Sequence, residues 1–210
     1  MTRINLVDPA STRSSCLAAG SASSRLDRKT AMTPHPAPPL LTSSWLNSAT
    51  PLDISDFRGR VLVIEAFQML CPGCVAHGLP QAQRVAQAFP SDQVAVIGLH
   101  TVFEHHEVQG TQEALAAFAH EYRLDFPIGI DRQDGRLPAT MTAYGMQGTP
   151  TLVVIDRNGV RRFQRFGHVD DLALGSIIGS LLAEPAAADE SEMAAAGKCD
   201  EAGCAAPATV

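Results

Sequence analysis

The chain has 210 residues, 45% of them hydrophobic, and a formal net charge of −6. A chain of this size suffices for one domain of about 140–150 residues with a full core and flanking tails. The acidic balance, with no basic run longer than Arg161-Arg162, argues against a nucleic-acid or anionic-membrane partner. No stretch approaches the roughly 18 apolar residues of a membrane-spanning helix, so we expect no membrane partner.

The composition divides the chain into three parts. Residues 1–40 are rich in Ser, Thr, Arg, Ala and Pro and contain no apolar segment of secretory length. We interpret them as a disordered N-terminal extension of a cytoplasmic protein, with an organelle transit peptide or a translation start at Met32 as alternatives. Residues 41–184 are predicted to form the domain, and residues 185–210, rich in Ala, Glu and Pro, a flexible C-terminal tail.

The first predicted elements surround a pair of cysteines. Val61–Phe67 is apolar and β-branched, which is typical of a central strand covered on both faces. Cys71-Pro72-Gly73-Cys74 follows it directly, and a helix is predicted over 74–89, broken or kinked at Pro80.

The remaining elements alternate between strands and helices, which indicates parallel pairing. The Asn158-Gly159 pair predicts a hairpin that makes the sheet mixed, and Asp170 is expected to cap the last helix. The expected strands are 94–99, 126–130, 151–155 and 160–166, and the expected helices are 111–122, 138–144 and 172–182.

The Cys71-Pro72-Gly73-Cys74 segment favours redox chemistry by its position. A helix that begins at Cys71 offers unpaired backbone N–H groups and its dipole to a thiolate. The three-residue offset puts both sulphurs on one helical face, with Cys71 at the exposed tip and Cys74 one turn deeper. Cys71 is therefore predicted to attack and Cys74 to resolve. A buried inert pair and half of a zinc site remain alternatives, although no second metal-binding motif lies nearby.

The CxxC after a buried strand and Gly148-Thr149-Pro150 before the strand 151–155 together resemble the thioredoxin-like superfamily. Within it, the segments 126–131 and 144–159 resemble the redoxin or TlpA-type disulfide reductases related to the AhpC/TSA proteins. The resemblance implies an α/β fold: a three-layer α/β/α sandwich with a mixed central sheet and an inserted strand–helix between the CxxC helix and a cis-Pro.

The resemblance also implies roles for three residues. Pro150 is expected to be cis, and the Thr149 backbone to present itself to the bound substrate. Glu65 lies six residues before Cys71, where such proteins often carry a buried acid that takes the proton of the resolving thiol. A strand-end carboxylate facing solvent is the alternative for Glu65, which the apolar neighbours make less favourable.

Two further clusters are candidates for function. His100, His105, His106 and Glu107 are predicted to follow the second strand on the same sheet edge as Cys71. There, His105 and His106 could contact substrate, whereas their adjacent spacing disfavours a metal site. An ordinary polar loop remains open as the alternative.

Cys199 and Cys204 form a second pair, in the predicted tail. We expect them to form a relay dithiol that exchanges electrons with Cys71, since the linker from the domain is long enough to reach it. Metal capture by the tail, or no function, are the alternatives.

These features predict a thiol–disulfide oxidoreductase that needs no cofactor and holds no metal in its active site. Its expected partners are protein or small-molecule disulfides and an external thiol reductant. An antioxidant thiol peroxidase, acting on peroxides through a Cys71 sulfenic acid, is the enzymatic rival. Peroxiredoxins place an activating Pro and Thr or Ser before the attacking cysteine, and Phe67-Gln68-Met69-Leu70 stands there instead. A redox-sensing or metal-binding module is the non-enzymatic rival.

Overall fold

The apolar strand that precedes the two cysteines lies at the centre of a mixed β-sheet in the computed structural model, which describes residues 35–185. The strands are β1 (His35–Pro36), β2 (Thr42–Leu46), β3 (Val61–Phe67), β4 (Val94–His100), β5 (Ile128–Asp131), β6 (Gln133–Asp134), β7 (Leu137–Pro138), β8 (Thr151–Ile155) and β9 (Val160–Phe166). The helices are α1 (Leu79–Ala88), α2 (His106–Gln109), α3 (Gln112–Glu121), α4 (Ala139–Ala143) and α5 (Asp171–Ala183), with a 3₁₀ turn at Ile54–Phe57 and a π turn at Cys74–Gly78.

Within the described residues, seven strands pair in the order β1-β9-β8-β3-β4-β5-β2. The strands β3, β4 and β5 run parallel, whereas β8 is antiparallel to β3, β9 to β8 and β2 to β5. The short strands β6 and β7 form a separate hairpin. The expected mixed sheet is therefore confirmed, with the end of β3 and the start of β8 adjacent at one edge.

Strand β3 contributes to a core on each face of the sheet. On one face, Val61, Val63 and Phe67 pack with apolar residues of α1, α3 and α5. On the opposite face, the alternate residues Leu62 and Ile64 pack with apolar residues of α4 and the 3₁₀ turn. Because both faces are covered, a continuous apolar strand is needed here. The result is the expected three-layer arrangement.

The predicted helix after the cysteines differs from expectation in one respect. Its departure from α-helical geometry precedes Pro80: residues 74–78 form a π turn in which the Leu79 N–H donates to the Cys74 carbonyl oxygen. Regular α-helix begins at Leu79 and includes Pro80 in its first turn. A proline lacks the N–H of an interior helix position, and the π turn shifts the hydrogen-bond register just before it.

The fold begins before the predicted domain start at residue 41. His35 and Pro36, in the predicted extension, pair with Arg161 and Val160 of β9, and Leu40 is buried. Strand β2 forms the other edge of the sheet, beside β5.

The later elements form close to their predicted bounds. Asp170 caps α5 by accepting hydrogen bonds from the Leu172 and Ala173 N–H groups, and Gly159, with φ of +70°, completes the turn between β8 and β9. No described helix is long and apolar enough to cross a membrane.

Candidate active site

The two cysteines lie at the carboxyl end of β3, where the chain turns into helix. Cys71 is half-buried and Cys74 fully buried, both as free thiols. The Cys74 N–H donates a hydrogen bond to the Cys71 Sγ at 3.3 Å. The Cys71 thiol in turn donates to the Thr149 carbonyl oxygen, with an Sγ–O distance of 3.4 Å. The pair therefore presents one accessible sulphur with a second directly behind it.

The buried thiol is held in its protonated form. Burial, and then the hydrogen bond with Cys71, raises the pKa of the Cys74 thiol well above its ordinary value. Cys74 can therefore attack a neighbouring sulphur only if a base takes its proton as it does so.

The segment before β8 closes one side of the cysteine pair. The Thr149-Pro150 peptide bond is cis, as the resemblance implied, and the Pro150 carbonyl oxygen accepts a hydrogen bond from the Gly167 N–H at 2.8 Å. Gly73 lies against this proline, since a Cβ there would be 3.2 Å from Pro150 Cδ and 4.0 Å from Cys71 Sγ. The absence of a side chain at Gly73 lets the helix and the proline segment approach each other.

Glu65 is a buried acid on the same face of the sheet as the CxxC helix. It is only 1% exposed, and its Oε1 has no hydrogen-bond partner among residues 35–185. Burial raises the pKa of Glu65 from 4.5 to about 8. The carboxyl lies beneath Gly78, where a Cβ would collide with Oε1 and approach Pro150 Cβ to 3.1 Å. The solvent-facing alternative for Glu65 is thus wrong.

The histidines of the predicted cluster lie in different environments. His100 is the last residue of β4, buried with its ring 5.3 Å from the Phe67 ring, so its predicted loop position is wrong. Burial lowers the pKa of His100 to about 4, so it is uncharged at neutral pH. His105 and His106 are exposed at the start of α2, and their substrate contact stays a prediction.

Two buried glutamines form hydrogen bonds beside the cysteine pair, and the sequence patterns did not predict them. The Gln109 side chain accepts a hydrogen bond from the Leu70 N–H at 3.2 Å and donates one to Gln68 Oε1 at 3.0 Å. The two are 41 residues apart and neither belongs to a motif. Gln68 directly follows β3, whereas Gln109 ends α2, nine residues after β4, so no local signal in the sequence indicates that they meet.

Among residues 35–185, no three His, Cys, Asp or Glu side chains converge as metal ligands do. Cys16, Cys199 and Cys204 lie outside the described residues, so the relay dithiol stays a prediction.

Comparison with known proteins adds a family match to this geometry. The Redoxin family model matches residues 35–165. The thioredoxin-like superfamily protein SPOA0173 is 58% identical, with a TM-score of 0.70 over 72% of this chain and 98% of its own. A thiol-disulfide isomerase from Corynebacterium glutamicum is 48% identical, with a TM-score of 0.67 over 71% of this chain and 98% of its own. The thioredoxin-like fold expected from the sequence is thereby confirmed.

A curated relative matches at lower identity. The protein DipZ from Mycobacterium tuberculosis is 29% identical over 143 residues, which make up 67% of this chain and 19% of DipZ. The matched part of the chain thus spans about a fifth of that relative's length.

Proposed function

The chain belongs to the Redoxin family, and from this premise we propose that it reduces disulfide bonds with the Cys71–Cys74 dithiol. The observation that carries the proposal is the sulphur pair itself: a half-buried Cys71 Sγ that accepts a hydrogen bond from the Cys74 N–H, with a fully buried thiol behind it. The relative described as a thiol-disulfide isomerase supports this chemistry.

The reaction proceeds by two thiol–disulfide exchanges. The Cys71 thiolate attacks one sulphur of the substrate disulfide, and the other substrate sulphur leaves as a thiolate that takes up a proton. Cys74 then attacks Cys71 Sγ in the mixed disulfide, releasing the second substrate thiol and forming the Cys71–Cys74 disulfide. An external thiol reductant returns two electrons and two protons to restore the dithiol.

Glu65 is the group proposed to move the proton of Cys74. It lies beneath Gly78, one helical turn after Cys74, and its pKa of about 8 leaves it poised to exchange a proton near neutral pH. In its ionised form it accepts the Cys74 proton during resolution. In its protonated form it supplies that proton when the active-site disulfide is reduced again.

The surface around Cys71 supports a polypeptide disulfide as substrate. Leu70, immediately before Cys71, is 53% exposed, and Phe166 is 52% exposed where its ring covers Gly148. Exposed apolar side chains next to Cys71 and over Gly148, which precedes the Thr149-Pro150 segment, suit an apolar peptide segment. The Thr149 backbone, next to Cys71 Sγ, is the proposed alignment point for the substrate. His105 and His106 are further substrate contacts proposed from the sequence.

A thiol peroxidase remains the alternative enzyme. The hydrogen-bond partners of Cys71 Sγ among residues 35–185 are the Thr149 carbonyl and the Cys74 N–H, which supports disulfide exchange over peroxide activation. A metal-binding module is the non-enzymatic alternative, and about one equivalent of zinc in the purified protein would favour it.

Trapping the mixed disulfide tests the proposal directly. In a background with Cys16, Cys199 and Cys204 changed to serine, Cys74→Ser should accumulate a covalent adduct with insulin, because the resolving step is blocked. The matched Cys71→Ser variant should form none, since Cys74 is buried. Mass spectrometry of the non-reduced proteins measures both, and equal trapping by the two variants would contradict the assigned order.

A further inference from the structure

We propose that Gln109 is a positioning residue for the reactive cysteine, holding the backbone before Cys71 in place through its side-chain amide. This inference rests on the proposed disulfide exchange. Gln109 is the last residue of α2, outside the CxxC and cis-Pro segments. It is 1% exposed and lies 38 positions after Cys71 in the chain.

Both the oxygen and the nitrogen of the Gln109 side-chain amide form hydrogen bonds. Its Oε1 accepts a hydrogen bond from the Leu70 N–H at 3.2 Å. Its Nε2 donates to Gln68 Oε1 at 3.0 Å and to the Glu104 carbonyl oxygen at 2.9 Å. Both amide hydrogens thus have partners, and a buried amide paired in this way is costly to disrupt.

Gln68 extends the network to the reactive cysteine. Its side-chain Oε1 also accepts a hydrogen bond from the Phe103 N–H at 3.3 Å. Its backbone carbonyl accepts one from the Cys71 N–H at 3.2 Å. A shift of Gln68 and Leu70 would therefore move the reactive sulphur relative to its partners.

Side-chain packing does not hold the backbone at Leu70, the residue before Cys71, in place. The Leu70 side chain is 53% exposed, so little apolar burial holds the residue next to Cys71. Hydrogen bonding of its N–H to Gln109 supplies the restraint that burial supplies elsewhere in the site. The same glutamine fixes the segment 103–109, whose Val108 is 65% exposed, relative to the cysteines.

The substitution Gln109→Leu removes all three hydrogen bonds while keeping a side chain of similar length. We expect kcat for insulin reduction to fall about 10-fold, because displacements of about 1 Å at a reacting centre cost up to about 100-fold. The Leu70 amide should exchange its hydrogen faster than in the parent protein. The control is Gln87→Leu, the same change at an exposed position of α1, which should leave both quantities unchanged.

The substitution Gln109→Glu supplies a second, pH-dependent test. A protonated glutamic acid can accept from the Leu70 N–H and donate to Gln68 or the Glu104 carbonyl, whereas its carboxylate can only accept. Since burial favours the protonated form, the ratio of Gln109→Glu to parent activity should rise as the pH falls. The ratio for Gln109→Leu should stay constant with pH.

The outcomes separate this inference from the proposed function. If the parent protein does not reduce insulin, the proposed function fails. If the parent is active and Gln109→Leu matches its kcat and Leu70 exchange rate, the positioning role fails. A loss of activity equal to the unfolded fraction at the assay temperature, with no pH-dependent recovery in Gln109→Glu, also overturns it, because a purely structural role would produce that result.

Discussion

Glu65 shows how one buried side chain couples stability to chemistry. Its carboxyl is buried on the face of the sheet that carries the CxxC helix, and its Oε1 lacks a hydrogen-bond partner among residues 35–185. Burial penalises the charged form, which raises the pKa from 4.5 to about 8. The folded protein therefore keeps a proton at neutral pH that the unfolded chain releases.

The catalytic consequence is a pH dependence that Glu65→Gln should remove. The ionised fraction of Glu65 grows as the pH rises through about 8, so the resolving attack of Cys74 should accelerate over that range in the parent protein. Glu65→Gln should resolve the mixed disulfide more slowly and without this inflection. Stopped-flow measurement of substrate-thiol release between pH 6 and pH 9, a range of about one unit or more around that pKa, checks it.

The same substitution should stabilise the protein. Because the folded-state pKa exceeds the unfolded value, the parent loses stability as the pH rises from 4.5 towards 8, by about 3 kcal/mol at pH 7. Glu65→Gln should unfold at higher urea than the parent at pH 7 but not at pH 4. Glu121→Gln, an exposed control on α3, should show no such difference, and a less stable Glu65→Gln at pH 7 would contradict the burial argument.

Site residues that local spacing marks could be predicted from the sequence, whereas those that meet only through long-range contacts could not. Cys71 and Cys74 are identified by local spacing after an apolar strand, and Pro150 by its family resemblance. Gln68 and Gln109 meet only after β3 and β4 pair. A glutamine carries no periodic or compositional signal that marks it as buried, so this contact could not be predicted.

The π turn at Cys74–Gly78 is the element that brings helix, acid and cis-Pro together. Gly78 has φ of −60°, ordinary for a helix, so its lack of a side chain is needed for space rather than for backbone conformation. A Cβ there would collide with Glu65 Oε1 and lie 3.1 Å from Pro150 Cβ. The turn can approach the strand this closely only with glycine at that position.

Substitution of two glycines by alanine tests this close approach. Gly78→Ala should destabilise the protein by about 1–3 kcal/mol, as overpacking does in a filled core. Gly175→Ala, in α5 with nothing within 4 Å of the added Cβ, should instead stabilise it by about 0.5–1 kcal/mol. Urea denaturation measures both free energies of unfolding. A Gly78→Ala protein as stable as Gly175→Ala would show that the turn has room to spare.

Most elements were predictable, whereas the register shift inside the CxxC helix was not. The two-sided apolar strand β3, the Asn158-Gly159 turn and the Asp170 cap each have local sequence signals. A π turn differs from an α-helix by one hydrogen-bond step, and only Pro80 indicated that something changes nearby. The edge strands β1 and β2 are short and partly exposed, so neither shows a clear alternating pattern.

At the scale of the whole molecule, the position of α5 defines where the tail departs. The helix begins after the Gly167 contact with Pro150 and ends where the Arg157 side chain donates to the Leu182 carbonyl oxygen at 3.2 Å. Its 13 residues span about 20 Å. Cys199 follows Glu184 by 15 residues, which reach at most about 50 Å when extended. The relay prediction therefore requires Glu184 to lie within this distance of Cys71.

The relay prediction can be tested by removing the tail thiols. If Cys199 and Cys204 pass electrons to the active-site disulfide, Cys199→Ser/Cys204→Ser and deletion of residues 185–210 should both slow insulin turnover driven by a protein dithiol such as thioredoxin. Both variants should retain the parent rate of a single turnover from the pre-reduced state. Unchanged steady-state turnover in both would contradict the relay. The expected cytoplasmic localisation likewise stays a prediction from the sequence.

In the proposed function, this dithiol exchanges with disulfides rather than with peroxides. The most direct test compares how fast the reduced protein loses its Cys71 and Cys74 thiols to stoichiometric hydrogen peroxide and to insulin disulfide, in the Cys16, Cys199 and Cys204 serine background. We predict rapid loss to insulin and slow loss to peroxide. Fast consumption of peroxide with slow insulin reduction would overturn the proposed function and identify a thiol peroxidase.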